Sequence, residues 1–129
     1  MGLFKRKVST KKTLTFPYSI SYNTTNPSKT YDVNSDELQF FLKLSEDIDS
    51  KYSSFIELYR IADGALSLYY LSSPFGRIKL QGRKHYLQVY KSIYKTYTVY
   101  GELEDFITEI HNLENYIKNG GEKLSKSLL

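Results

Sequence analysis

The sequence predicts an α+β protein: a single antiparallel sheet of about five to six strands, with two helices packed on one face of the sheet. Short segments that alternate apolar and polar residues indicate half-buried strands, and turn residues between them favour hairpins. Two longer segments place apolar residues at helical spacing. The predicted order of elements is β-α-β-β-β-β-β-α, and a chain of 129 residues suits one domain with its own core.

The two ends of the chain are expected to lie outside that domain. Residues 1–12 carry five Lys and Arg side chains and few apolar ones, which predicts a flexible basic arm. The single α+β domain is predicted over residues 13–120, and residues 121–129 are expected to form a frayed tail.

The first strand is predicted over residues 13–22, where apolar and polar side chains alternate. One face of this strand would carry Leu14, Phe16, Tyr18, Ile20 and Tyr22. Pro17 has no amide hydrogen to give to a ladder, which favours an edge position. Residues 23–28, rich in Asn, Thr and Pro, are expected to form a loop.

The first helix is predicted over residues 36–50. Ser35 is the expected N-cap, and Asp36 and Glu37 place carboxylates in the first turn, where the helix dipole favours them. The acids of the two helical regions are mixed with basic residues, which indicates an ordinary solvated surface. Those basic residues are Lys43, Lys51, Arg60 and Lys118.

Asp63-Gly64 separates two apolar runs, residues 55–62 and 65–71. An Asp-Gly pair between such runs predicts a two-residue hairpin turn, because both turn positions need a positive φ. A helix that ends at Gly64 is the alternative for the first run.

The strands that follow are also marked by turn residues. Residues 72–74 predict a turn, and a second hairpin is expected between strands 76–80 and 85–91, around residues 81–84. Residues 95–100 predict a further strand, because they are rich in Thr, Tyr and Val.

The last helix has the clearest apolar stripe of the chain. Its members are Leu103, Phe106, Ile107, Ile110, Leu113 and Ile117. Asn119 and Gly120 are expected to end this helix, since both residue types favour the left-handed conformation of a C-terminal cap.

Charge follows these predicted elements along the chain. Residues 64–101 contain no acid, six Lys or Arg and seven Tyr, whereas residues 32–63 contain eight acids and three bases. Residues 1–31 add six bases without an acid, and the net charge of the chain is +4. Clustered cations with interleaved rings attract phosphates and offer bases a stacking surface.

Strand parity assigns the cations and rings of this block to two faces. Tyr70 and Tyr97 are predicted to point into the core. Tyr69, Tyr86, Tyr90 and Tyr100 are predicted to lie on the outer face beside Arg77 and Lys79. Arg83, Lys84 and His85 are expected at the tip of the second hairpin. An open, Tyr-rich sheet without a ligand has the same pattern, because Tyr is a good strand residue.

The leading hypothesis is a small, non-enzymatic protein that contacts nucleic acid through the outer sheet face and the basic arm. The residues predicted to make this contact are Lys5, Arg6, Lys7, Arg77, Lys79, Arg83, Lys84, Tyr86 and Tyr90. The alternative is an interaction or inhibitor protein, from a phage or another mobile element, that binds a host protein, since Arg and Tyr are also enriched at protein interfaces.

Other functional classes lack support in the sequence. There is no cysteine for a disulfide or thiolate zinc site, and no phosphate-binding loop, dinucleotide fingerprint or metalloprotease motif. His85 and His111 are the only histidines. His85 belongs to the predicted hairpin tip, and His111, at the margin of the last helix's apolar stripe, is interpreted as structural. We therefore predict no catalytic or metal site, no cofactor and no membrane partner, in a cytoplasmic protein. A metal-dependent hydrolase or nuclease is the third hypothesis.

Overall fold

The computed structural model describes the backbone of residues 15–22 and 31–128, and side chains in this part of the chain as far as residue 120. The basic arm at residues 1–12, with Lys5, Arg6 and Lys7, lies outside the described residues, as do residues 23–28. None of the helices within the described ranges is long and apolar enough to cross a membrane.

The described elements form one six-stranded sheet and helices, which confirms the predicted α+β class. In chain order they are strand β1 (Ile20–Tyr22), helices α1 (Ser35–Asp47) and α2 (Ser50–Ser53), strands β2 (Ile56–Arg60), β3 (Leu66–Tyr70), β4 (Ser73–Lys79), β5 (Tyr86–Ser92) and β6 (Lys95–Tyr100), and helices α3 (Leu103–Ile107) and α4 (Ile110–Leu128). The strands lie side by side in chain order. Neighbouring pairs are antiparallel except β1 and β2, which are parallel.

One pair of strands, β1 and β2, departs from the predicted antiparallel arrangement, which the other four pairs follow. Ile20 pairs with Leu58, and the intervening α1 reverses the chain so that both strands run the same way. β1 is also shorter than the predicted strand. Phe16, Tyr18 and Ile20 pack against the core as expected, but Tyr22 is 43% exposed, and its hydroxyl donates a hydrogen bond to the Tyr31 carbonyl.

α1 begins one residue earlier than its predicted cap suggests. Asn34, rather than Ser35, is the N-cap: its side-chain oxygen accepts a hydrogen bond from the Glu37 amide at 2.9 Å. The Glu37 carboxylate in turn accepts one from the Asn34 amide at 3.2 Å. This reciprocal capping box satisfies two backbone donors at once. α1 ends at Asp47, because Ile48 is extended, and α2 starts anew after Asp49.

The hairpin at Asp63-Gly64 is confirmed, but its predicted two-residue turn is wrong. Gly64 has φ +95°, whereas Asp63 does not adopt a positive φ. The Asp63 carboxylate accepts a hydrogen bond from the Ala65 amide, and the Ile61 amide donates to the Ala65 carbonyl. These local hydrogen bonds stabilise the connection between β2 and β3, which is longer than a two-residue hairpin turn.

Positions of other turns differ slightly from the prediction. The two residues between β3 and β4 are Leu71 and Ser72, with φ of 49° and 70°. Ser73 and Pro74 therefore belong to β4 rather than to the turn. The hairpin between β4 and β5 and the strand at residues 95–100 are confirmed.

The last helical region is divided and extends further than predicted. α3 and α4 are separated at residues 108–109, and α4 continues through residues 121–128, which were predicted to be a frayed tail. The predicted stop at Asn119-Gly120 is wrong, since neither residue has the positive φ that an αL cap requires.

The core lies between the helices and one face of the sheet. The buried sheet residues have the predicted parity: Leu66, Leu68, Ile78, Leu80, Leu87 and Val89 point inward, with Tyr70, Tyr97 and Val99 packed beside them. α1 contributes Phe40, Phe41 and Leu44, and the last helical region contributes Phe106, Ile110, Leu113 and Ile117. α4 crosses β4 closely at Gly76, where an added Cβ would lie 3.1 Å from Leu113.

Arg60 is buried in this core, which corrects its predicted place among the surface charges. Its exposure is 1%, and its guanidinium forms a bidentate ion pair with the equally buried Glu37, at 2.6 and 3.2 Å. Arg60 also donates to the Gly64 carbonyl at 2.9 Å. Because burying a charge without a partner is costly, this pair ties the start of α1 to the end of β2.

Candidate binding face of the sheet

The sheet surface opposite the helices is called the outer face. A row of aligned side chains crosses all six strands on this face. The members of this central row are Ser21, Tyr59, Ser67, Arg77, Gln88 and Thr98. Strand pairing alone aligns them, since each is the register partner of the next, and directly paired residues point to the same side. Arg77 lies in the middle of this row and is exposed.

A shorter row lies next to the central row. Lys79 pairs with Tyr86, and Tyr86 pairs with Tyr100. Lys79 and Tyr86 are half-buried, whereas Tyr100 is 74% exposed. Arg77 and Lys79, two positions apart on β4, therefore project from the same face as predicted.

The outer face carries two pairs of aromatic rings, one toward each side of Arg77. The rings of Tyr59 and Tyr69 pack edge to face, with centroids 5.1 Å apart. The rings of Tyr86 and Tyr100 are tilted at 6.4 Å. The first pair stands on β2 and β3 and the second on β5 and β6, so β4 with its two cations runs between them.

The charge on this face is mostly positive. Glu57, opposite Tyr69 on β2, is the one acid that the six described strands place there. Within the described part of the chain, Arg77 and Lys79 form no ion pair with a carboxylate. Cations without a carboxylate partner can contact a ligand, and desolvating them does not first require an ion pair to be broken.

Tyr86 lies close to Arg77 and is neutral at physiological pH. Burial raises the pKa of its hydroxyl above the ordinary value, and the charge of Asp63 adds to that rise while Arg77 opposes it. A neutral phenol keeps its ring available for stacking next to a cation.

Tyr90 does not lie with Tyr86, which corrects the prediction that both share the outer face. Its ring is 5.6 Å from that of Tyr116 on α4, on the helical side of the sheet. The pairing of β5 with β6 shifts between Tyr90 and Ser92. Such a bulge adds a residue to one strand and re-aims side chains, so regular alternation fails at this point.

The tip of the hairpin between β4 and β5 exposes Arg83 and Lys84, next to Gly82 with φ +78°. His85 is held beneath the tip: its Nε2 is 2.9 Å from the Gly82 carbonyl, and its Nδ1 is 3.3 Å from Glu102. The tip is therefore a small basic projection, held by the contacts of His85, beyond the end of the two rows of the outer face.

A groove of about 770 Å³ lies between the β5–β6 hairpin and α4. Its aromatic wall is formed by Tyr90, Tyr97 and Tyr116, and its amide wall by Asn112, Asn115 and Asn119. Sequence reasoning missed this groove. The signal was present in the three Asn residues, whose spacing puts them on one side of a helix.

Of the residues predicted to bind a ligand, Arg77, Lys79 and Tyr86 therefore lie together on the outer face. Arg83 and Lys84 lie beyond one end of this face, and Tyr90 lies on the helical side of the sheet. No group of three or more acidic or histidine side chains suited to a metal ion occurs in the part of the chain that the structure describes. No protein-family model, curated protein or solved structure matches this chain.

Proposed function

We propose that this protein binds single-stranded nucleic acid on the outer face of its sheet. The observation that carries the proposal is the arrangement around Arg77: cations on β4 that have no carboxylate partner among the described residues, with a pair of tyrosine rings on either side. The cations attract the phosphates, and the rings stack on bases irrespective of sequence.

The spacing of the rings supports a single-stranded ligand. Neighbouring strands are about 4.8 Å apart, so the two tyrosine pairs are separated by roughly 14 Å across the sheet. Two bases of one strand can therefore stack on separate pairs while the phosphates between them lie over Arg77 and Lys79. A paired duplex hides its base faces and cannot use the rings in this way.

The basic tip and the arm extend the proposed contact. Arg83 and Lys84 project beyond the end of the β4–β5 hairpin and are both exposed. The arm adds Lys5, Arg6 and Lys7, which lie outside the described residues. In this proposal the protein acts without catalysis, and a cytoplasmic setting is part of it, since the chain has no cysteine for the disulfides common in secreted domains.

The decisive experiment is a fluorescence anisotropy titration of labelled single-stranded DNA and RNA, with duplex DNA alongside, at about 50 and about 200 mM salt. We expect tighter binding of the single strands and a steep loss of affinity at higher salt. Arg77→Ala with Lys79→Ala should reduce the magnitude of the log-log salt slope by about 1.4, or about 0.7 per lost phosphate contact.

The matched control is Lys43→Ala with Lys118→Ala, which removes the same charge from exposed helical positions. Equal losses of affinity in the two double variants would show that net charge, rather than the outer face, causes binding. Removal of residues 1–12 tests the arm separately. Salt-independent binding, or no binding to any of the three ligands, would overturn the proposal.

A host protein is the second candidate partner for the same face. The observation in its favour is that Arg and Tyr, which dominate this face, are the residue types enriched in interface hot spots. In that case Arg77→Ala would abolish capture of a stoichiometric protein from cell extract, while no oligonucleotide would bind.

A further inference from the structure

The two edges of the sheet differ in how well they are protected against further pairing. β1 is three residues long and follows Pro17, and short strands and proline are common devices that close an edge. β6 has six residues and no proline, and no described segment pairs with its free side. As far as the structure describes the chain, its backbone donors and acceptors along that side are open to pairing with another strand.

The three most exposed large apolar side chains of the described residues lie at the two ends of β6. Ile93 and Tyr94, in the turn before the strand, are 70% and 89% exposed, and Tyr100 at its end is 74% exposed. On the helical side of the sheet, Tyr97 and Val99 are only partly buried. Apolar side chains thus remain accessible to solvent at the β6 edge, and a strand added there would cover apolar surface on both sides of the sheet.

The charges around β6 are separated by sign. Lys95 is exposed at the start of β6, and Lys91 is exposed near the end of β5. Glu102, Glu104 and Asp105 are exposed just after the end of β6. A second β6 running in the opposite direction would bring the basic end of each strand to the acidic end of the other. Parallel pairing would instead place like charges together, which is unfavourable.

We propose that two copies of this chain pair through β6, antiparallel, about a two-fold axis at Thr98. In an antiparallel pair, directly opposed residues point to the same face. Across a two-fold axis, a residue can therefore oppose its own copy but not the copy of its sequence neighbour. The axis has to pass between one residue and its copy. Centring on Thr98 opposes Tyr97 to Val99 of the second copy, Thr96 to its Tyr100, and Lys95 to its Gly101, next to Glu102. Centring on Tyr97 would oppose Lys95 to the apolar Val99.

This pairing does not depend on the proposed function, but it would enlarge the outer face. Thr98 is the last member of the central row, so the row would continue through the axis into the second copy. Both Arg77 side chains would then project from one surface, about 24 Å apart over five strand intervals. Exposed strands that add to a partner's sheet edge are a general mode of association.

The first test is the mass of the full chain in solution, measured by sedimentation or light scattering over a wide range of concentration. We expect twice the 15.1 kDa chain mass. Thr98→Lys should give a folded monomer, because it places two like charges opposite each other. The matched control is Ser21→Lys, at the other end of the central row, which should remain dimeric. A monomeric wild type, or a dimeric Thr98→Lys variant, would overturn the proposal.

The second test fixes the register. The chain has no cysteine, so a single engineered thiol can cross-link only to its copy. Thr98→Cys should form a disulfide-linked dimer on mild oxidation, since opposed Cα atoms about 4.5–5.5 Å apart suit a disulfide. Thr96→Cys, on the same strand and face, is the control: its two thiols would be four positions apart and should not link. Equal cross-linking of both variants, or none, would contradict the Thr98-centred pairing.

Discussion

Two arginines on opposite faces of the sheet show how differently one residue type is used. Arg60, on β2, points into the core and is 1% exposed, with the Glu37 carboxylate 2.6 Å away. Arg77, on β4, points to the outer face and has no carboxylate partner within the described residues. Arg60 is therefore a cation that stabilises the fold, whereas Arg77 is placed where it could contact a ligand.

The contrast extends to the surroundings of the two side chains. The carbonyls of Gly64 and Tyr31 also accept hydrogen bonds from Arg60, and Gln81 donates to the same Glu37 carboxylate. Arg77 instead lies between two tyrosine pairs in a row of polar side chains. We infer that the helical side of the sheet determines stability, whereas the outer face can be changed with little effect on folding.

The largest expected effect is on stability. Arg60→Ala should lower the free energy of unfolding by about 3–5 kcal/mol, because it leaves the buried Glu37 charge without its partner. Arg77→Ala, the same substitution on the other face, should change it by less than about 0.5 kcal/mol. Urea denaturation measures both. Similar losses in the two variants would remove the proposed division between the faces.

A smaller effect is expected on binding, and it compares two tyrosines. Tyr86→Leu should weaken single-strand binding by about 1–3 kcal/mol, because a stacking ring is lost from the outer face. Tyr70→Leu, on the core side of β3, should leave the affinity of the folded protein unchanged. The anisotropy titration at low salt measures both variants. Should Tyr70→Leu weaken binding as much, stacking on the outer face would not be the cause.

The smallest expected effect is a pH dependence of stability on the helical side. Burial, together with the hydrogen bond that the Tyr97 hydroxyl donates to Glu109, raises the pKa of Tyr97 to about 12. The folded state therefore holds this proton more tightly than the unfolded state, whose pKa is near 10. The contribution of this proton to the free energy of unfolding is fully present below about pH 10 and is lost as pH rises toward 12.

Tyr97→Phe tests this contribution, since phenylalanine has no proton to lose. Unfolding free energies measured by denaturant titration between about pH 9 and 12 should fall less steeply in the variant than in the wild type. Thr96→Ser, at an exposed position on the same strand, exchanges two side chains that do not titrate; it is the control and should retain the wild-type slope. An unchanged slope in Tyr97→Phe would mean that the shifted pKa of this residue does not affect folding.

Regular alternation explains why the sequence predicted much of the sheet. Leu66, Leu68, Ile78, Leu87 and Val89 all point inward as their parity requires, and Arg77 and Lys79 follow on the opposite face. The same rule contained the missed signal for Arg60, since Ile56, Leu58 and Arg60 alternate on one face. The charge of Arg60 suggested a surface position, but an arginine can be buried where a carboxylate pairs with it.

The errors arise where a tertiary contact or a backbone irregularity outweighs the local pattern. The bulge that turns Tyr90 toward Tyr116 has no marker in the sequence. Asn119-Gly120 has the composition of a helix end, but glycine within a helix costs only about 1 kcal/mol, so the helix can continue. The direction of β1 depends on how α1 returns the chain to the sheet, which no residue of β1 encodes.

The parallel pairing of β1 with β2 also bears on the order in which the protein folds. Each pair from β2 to β6 closes through a short connection, with a small entropic cost. β1 meets β2 only after the chain has passed through α1 and α2, since Ile20 pairs with Leu58. We expect β1 to dock last and open first, so that its amides exchange hydrogen sooner than those of β3 and β4. Strands β2 to β6 would then form one folding unit, against which β1 pairs in a later step.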